Sequence, residues 1–555
     1  MVRHGAGPAL STLKALSRQA EKARGKVVTL GKGVETRWRS LAHLAPSRSA
    51  IERQLGTLNR LESIRKAAEI IAPVVAGLVL GAIVLFAREL PSEWAGLVIL
   101  ATISPTVVLL VNDVRKLLLI TLVVDIPLGL DIMLGDQPGH VGGSTGFSVS
   151  LMTMALVVGY AIWLAERPAS SQSKIRTHKD ITVPALVYLF FLLVSAFQAV
   201  DVWFSIVQLF LEIQFLLMYF YVINHVKTRA AVRLIFTILV LCLFFESVVM
   251  LLQYFVGFEL TALGIGTQTT GSSIASATKR VGGTIGSPNG AATYLATSLA
   301  ITFAAYLTGN RLINKKLTLI ALLVGCAALV TTQSRSGWIA CTVAMLILVT
   351  QALRKQVGVR AVLLLLVVAV IIGAVFSTQI IDRLTTDDQG SAESRTWYNE
   401  LAFNIINAHM FTGIGLNNLW LVMRDYLPLE LLGSKHSQYL YIVHNKYLLV
   451  WAETGLFGFL AFLWLLLAAC RRALQALIQT KDVYTSIVIT GLLSALVVYL
   501  LHMSSDPFAS RVRMQPVWLI MALIAATSQL AGETEQQSVT IKGTPKSQIT
   551  VSPGT

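Results

Sequence analysis

The feature that most limits what this chain can fold into is a succession of apolar runs, each long enough to cross the hydrocarbon core of a bilayer as a helix of about 20 residues. Fourteen such runs begin near Ile71, Ala95, Leu117, Ser148, Ile181, Trp203, Leu234, Pro288, Leu317, Gly337, Ala361, Gly455, Thr485 and Met514. Of the 555 residues 55% are hydrophobic and only 13% charged, and the mean hydropathy is +0.68, so lipid must be the main solvent. The weak alternating strands of an outer-membrane barrel are missing, and a backbone in hydrocarbon must then satisfy itself within helices. The expected fold class is all-α: a polytopic transmembrane helical bundle over residues 68–531, between a basic extension at 1–67 and a polar tail at 532–555.

The net charge of +16 suggests nucleic acid only until its position is read. Its largest share lies in the first 66 residues, with 14 Lys and Arg against 4 Glu, and no apolar core precedes Ile71 as it would in a cleavable signal. The spacing of Leu10, Leu13, Leu16 and Ala20 among Lys14, Arg18, Lys22 and Arg24 suits a basic amphipathic helix on anionic membrane lipids. A basic tail kept in the cytoplasm fits the composition equally well. Nucleic acid is not an expected partner. All four cysteines, Cys242, Cys326, Cys341 and Cys470, fall inside apolar runs without metal-ligand spacing, so neither disulfides nor zinc are indicated.

Short loops rich in Lys and Arg mark the cytoplasmic side, and every second loop here carries them: Arg115 and Lys116; Arg167, Lys174, Arg176 and Lys179; Lys227, Arg229 and Arg233; Arg311, Lys315 and Lys316; Arg354, Lys355 and Arg360; Arg471, Arg472 and Lys481. The loops at 135–147 and 198–202 have no Lys or Arg, which checks the register of the spans. Both termini are then cytoplasmic, and segments 257–287 and 378–443 lie outside. Those outer segments nevertheless carry Lys279, Arg280, Arg383, Arg395 and Arg424, while Arg335 occupies a tight outer turn of its own. A cation near apolar helix ends is costly unless it meets an anion, and the arginine fork suits phosphate where lysine, a point charge, is a poor substitute. Snorkelling to headgroups or pairing with a nearby acid such as Glu393 is the plain alternative for any one of them.

Four patterns on this side share one likeness. His444-Asn445, nine residues, then Gly455-Leu456-Phe457-Gly458 in HNKYLLVWAETGLFG resembles the signature of the bacterial O-antigen ligase and O-antigen polymerase family. Upstream, SAESRTWYNELAFNIINAHMFTGIGLNNL at 391–419 resembles the Arg-bearing part of that family's large periplasmic loop, with Arg395 as the matching residue. Gln333-Ser334-Arg335-Ser336-Gly337 is similar to its tight Ser-Arg-Ser-Gly turn, and Gly283-Thr284-Ile285-Gly286-Ser287-Pro288-Asn289 to its Pro-Asn helix start. The likeness runs from about Val281 to Gly458. It departs from the family in its fourteen runs, where about twelve are usual, and in the basic N-terminal extension.

The resemblance implies a GT-C-like bundle in the bacterial inner membrane that takes a glycan from undecaprenyl pyrophosphate and joins it to an acceptor hydroxyl, inverting the anomeric carbon. It implies His444 as the general base and Arg280, Arg335 and Arg395 as the cations that bind the pyrophosphate leaving group. Such a scheme uses no cofactor and no metal. The acceptor would be a glycolipid in a ligase, or a second lipid-linked repeat in a polymerase; a transporter or flippase of lipid-linked sugars or small anions is the third reading. Asp125, Asp131, Glu212 and Glu246 within the runs suit helix-to-helix hydrogen bonding better than an ion path. Arg511 and Arg513, after Asp506, read as a headgroup-binding spot, with contact to the donor pyrophosphate as the lesser alternative, and Glu453 as either a sugar contact or a headgroup-facing residue.

Overall fold

The computed structural model describes residues 113–166, 175–257, 280–385, 391–427 and 442–543, all within one compact unit. The runs at Ile71 and Ala95, the N-terminal extension, Lys279 and much of the two long outer segments lie outside the described residues. The other twelve runs are all helical. They form α1 (Val114–Leu128), α2 (Leu151–Ala165), α3 (Lys179–Ala196), α4 (Val202–His225), α5 (Arg229–Val256), α6 (Pro288–Leu307), α7 (Lys315–Thr331), α8 (Arg335–Arg354) and α9 (Val359–Val375). Past a bend of 75° at Phe376 come α10 (Ser377–Thr385), α11 (Ser391–Ala408) and the short α12 (Leu419–Val422). The chain then returns through α13 (Lys446–Gln479), α14 (Val483–His502) and α15 (Arg511–Gly543). Among the described residues, α3, α4, α5, α6, α8, α13, α14 and α15 are each long and apolar enough to cross a membrane, and the bent α9–α10 pair adds a ninth.

Many of these helices open on a short polar side chain that accepts an otherwise orphaned backbone N–H: Asp201 for α4, Thr228 for α5, Ser287 for α6, Ser334 for α8, Asn445 for α13 and Asp482 for α14. In lipid, where water cannot satisfy those groups, such caps fix where a helix begins. The centre of the bundle is α6, whose membrane-length window is wholly buried. Its stripe of Ala292, Ala296, Ala300 and Ala304 lets neighbours approach closely; a Cβ added at Gly491 of α14 would lie 2.4 Å from that of Ala304. A second, smaller core joins Leu401, Ile405 and Ile406 of α11 to Leu419, Met423, Leu449 and Ala452, and so seats the α11–α12 segment on the start of α13.

Between α1 and α2 a hairpin of β1 (Asp131–Leu134) and β2 (Phe147–Ser150) pairs antiparallel, with Asp131 opposite Ser150. Here one expectation changes. Arg511, expected at headgroups, is 1% exposed and is held by Asp125 of α1 and by Asp131, both at 2.5 Å, as well as by Gln515. A guanidinium in apolar surroundings is tolerable when two carboxylates meet it, and the pair of acids flanking Pro127 exists to do so.

Candidate active site

Helix polarity brings the N-termini of α6 and α8 to the same end of the bundle as the C-termini of α5, α7 and α14. The turn before α6 is seated by α5: Glu246 accepts the Thr284 N–H and Gln253 the Gly283 N–H, both at 2.9 Å. That turn sets Arg280, whose Nε donates to the Thr332 carbonyl at 3.1 Å and whose Nη2 donates to Asn289 Oδ1 at 2.9 Å. The same α7–α8 turn, with Gln333 in the left-handed region, is gripped from above by Arg383, which donates to the Gln333 carbonyl at 3.1 Å. Arg335 is the first residue of α8, half-buried between Ser334 and Ser336. Two helix N-termini side by side concentrate partial positive charge, worth roughly 0.3–1 kcal/mol each toward an anion.

His444 stands at the mouth of α13, half-buried, just before the cap. Asn445 Oδ1 accepts the Tyr447 and Leu448 N–H groups at 3.0 and 3.2 Å, and the Lys446 N–H donates to the Met503 carbonyl at 2.8 Å, so the backbone around His444 is pinned to the end of α14. Its ring centroid lies 5.8 Å from that of Tyr398 on α11, the helix that also carries Arg395 one turn earlier. Burial is the main cause that pulls the His444 pKa below the ordinary imidazole value. Asp506 pushes it up, and Arg395 and Arg513 pull it further down. The balance favours the neutral imidazole.

Asp506 also receives Arg513 Nη1 at 2.5 Å, and Arg513 Nη2 donates to Ser287 Oγ, the cap of α6, at 2.7 Å. Arg513 is thus engaged by Asp506 and by the cap of α6, at the same end of the bundle as His444. His502, the last residue of α14, is buried between Ser336 Oγ at 2.7 Å from Nε2 and Thr293 Oγ1 beside Nδ1. Glu453 meets neither headgroup nor outer surface. It is buried around a cavity of about 10 Å³ with Glu212 and Lys446.

Two separate sequence patterns prove to be one joint. Gly455 interrupts α13 with φ 70° and ψ −178°, a conformation only glycine adopts freely, and Gly413 of the Gly-Ile-Gly turn has φ 67°. The freed groups pair across the gap: Ile414 N–H with the Ala452 carbonyl at 3.0 Å, Gly415 N–H with that of Glu453 at 3.0 Å, and Leu456 N–H with that of Met410 at 2.8 Å. A Cβ on Gly455 would lie 2.2 Å from the Phe411 carbonyl oxygen. The joint locks the end of α11, and with it the helix carrying Arg395, to the helix that begins at His444.

The four residues expected from sequence thus sit at one end of the bundle, with Arg395 and His444 in electrostatic reach of each other. With this geometry in place, the stretch holding most of it can be assigned. Residues 319–463 match the O-antigen ligase family. No curated protein matches the chain. The matched segment contains Arg335, Arg395, His444 and Gly455, while Arg280 lies before it and His502, Asp506 and Arg513 after it. The match supports, in general terms, a membrane function of the O-antigen ligase and polymerase type, a family that works broadly on lipid-linked glycans. Sequence reasoning missed His502 and named Ser336 only as part of the Ser-Arg-Ser-Gly turn; the one available signal for His502 was a histidine at the end of an apolar run, on the same predicted side as His444.

Proposed function

We propose that the chain is an inner-membrane glycosyltransferase that moves a glycan from undecaprenyl pyrophosphate to an acceptor hydroxyl on the periplasmic side. The observation that carries this reading is the meeting of a neutral, half-buried histidine with Arg395 and Arg513 beside two helix N-termini, within and next to the family-matched segment. The alternation of basic loops supports the orientation: Arg229 pairs with Asp482, and Arg472 with Asp180, at the end of the bundle opposite His444.

In this reading Arg335, Arg395 and Arg280 bind the pyrophosphate, and their fixed charges stabilise the negative charge that grows as the bond from sugar to phosphate breaks. His444 takes the proton of the incoming hydroxyl, a contribution of roughly 100- to 10,000-fold. The hydroxyl oxygen attacks the anomeric carbon from the face opposite the leaving phosphate, so its configuration inverts. The scheme calls on no metal and no covalent nucleophile.

The test is transfer of radiolabelled glycan in proteoliposomes, offering lipid A core or a second lipid-linked repeat as acceptor. Wild type gives product and His444→Ala loses it by 100-fold or more while donor binding survives. The productive acceptor separates ligase from polymerase. Labelled lipid that crosses the bilayer without product would replace this reading with a transporter.

A further inference from the structure

The buried His502 has a definite tautomer, and the tautomer assigns a direction to Ser336. Thr293 Oγ1 lies 3.0 Å from the Asn289 carbonyl, one turn back on α6. A carbonyl only accepts, so the single hydroxyl proton of Thr293 points there. At its contact with His502 Nδ1 the threonine oxygen must then accept, which puts the imidazole proton on Nδ1 and leaves Nε2 an acceptor. Ser336 Oγ, 2.7 Å from Nε2, therefore donates its only proton inward to His502. Ser334 Oγ stands 3.3 Å away and, since it accepts the Gly337 N–H, has its own proton for one lone pair of Ser336. What Ser336 offers outward is a second lone pair.

A serine beside Arg335 at a helix N-terminus would ordinarily be taken as one more donor to phosphate. With its proton committed to His502 it cannot be one, because phosphate oxygens also present lone pairs. Its partner must carry a polar hydrogen. Resting on the glycan-transfer reading, the geometry points to Ser336 as an acceptor for a hydroxyl or amide N–H of the first sugar of the donor, with His502 as the positioning residue that orients it. Place agrees with chemistry. In a direct displacement the reacting sugar lies between the cations that hold the leaving group and the base that holds the incoming hydroxyl. Ser336 is next to Arg335 and half-buried, and His502 is within the fields of Arg395, Arg513 and Asp506, the charges that surround His444.

The experiment uses full-length protein in proteoliposomes and a set of lipid-linked donors, each lacking one hydroxyl or N-acyl group on the first sugar. With wild type, one donor of the set loses about 10-fold in kcat/KM, the worth of one neutral hydrogen bond left unmade. Ser336→Ala shows that loss with the complete donor and no further loss with the deleted one. His502→Gln, whose amide oxygen can replace Nε2 as acceptor, keeps the selectivity, and His502→Leu erases it. Thermal midpoints in detergent identify any variant that fails through folding, and the serine-to-alanine arm, which removes one atom, carries the decision in that case. If Ser336→Ala remains as sensitive as wild type to every deletion, or no deletion matters to wild type, the inference is overturned while glycan transfer stands. If wild type transfers nothing from the complete donor, the underlying reading fails and this one with it.

Discussion

At the scale of single residues the site turns on protonation and on which hydrogens are already committed. Burial holds the His444 pKa below the ordinary imidazole value, and in the proposed mechanism the base form is the one that acts. Activity is therefore fully present above the ordinary imidazole range and is lost only as pH falls through the lowered value. The acid limb of kcat/KM in proteoliposomes should lie below pH 6.5, and Asp506→Asn, which removes the one charge opposing the shift, should move it lower still. An acid limb above 6.5 in wild type would remove His444 as the base. Arg280 is tied to Asn289 and Thr332, so it also fixes the turn it comes from. His502 is more than 150 positions away in sequence from its partners Thr293 and Ser336, which is why no local pattern pointed to it.

At the scale of elements the decisive feature is the joint between α11 and α13. A broken helix in a membrane must re-satisfy the carbonyls and N–H groups it frees, and the Gly413–Gly415 turn together with the Met410 carbonyl supplies their partners. Gly455→Ala both strains φ, at about 1–3 kcal/mol, and drives a methyl into the Phe411 carbonyl. The expected result is a lower thermal midpoint in detergent together with loss of transfer. Gly373, which has open space around its Cα, should accept alanine without either effect. Equal tolerance at the two positions would show that the joint is not what aligns Arg395 with His444. The helices themselves were legible: each run from Leu117 onward became one, and Asn, Asp, Ser or Thr marks many of their starts.

At the scale of the whole molecule, the described bundle is held partly by buried charge. Arg511 ties α15 to α1 and β1 through Asp125 and Asp131, and Arg511→Met would leave two carboxylates buried without a cation. Breaking such a pair costs about 3–5 kcal/mol, so this variant should unfold at markedly lower temperature, and Asp125→Asn with Arg511→Met together should recover part of the loss. No recovery in the double variant would place the stability elsewhere. What the sequence determined by itself was solvent and register: apolar runs of bilayer length leave a helix as the only way to satisfy the backbone, and basic loops alternate along the chain with loops that lack Lys and Arg. Its resemblance to a known family, together with the side on which the loops fall, singled out Arg280, Arg335, Arg395 and His444 as candidates. Only the tertiary structure decided which charges face an outside ligand and which face each other. Arg511 and Arg513 are two residues apart and read alike, yet one is spent on carboxylates inside the bundle and the other pairs with Asp506 and donates to Ser287, the cap of α6. That difference depends on groups from α1, β1 and α6 whose positions exist only after the helices have packed.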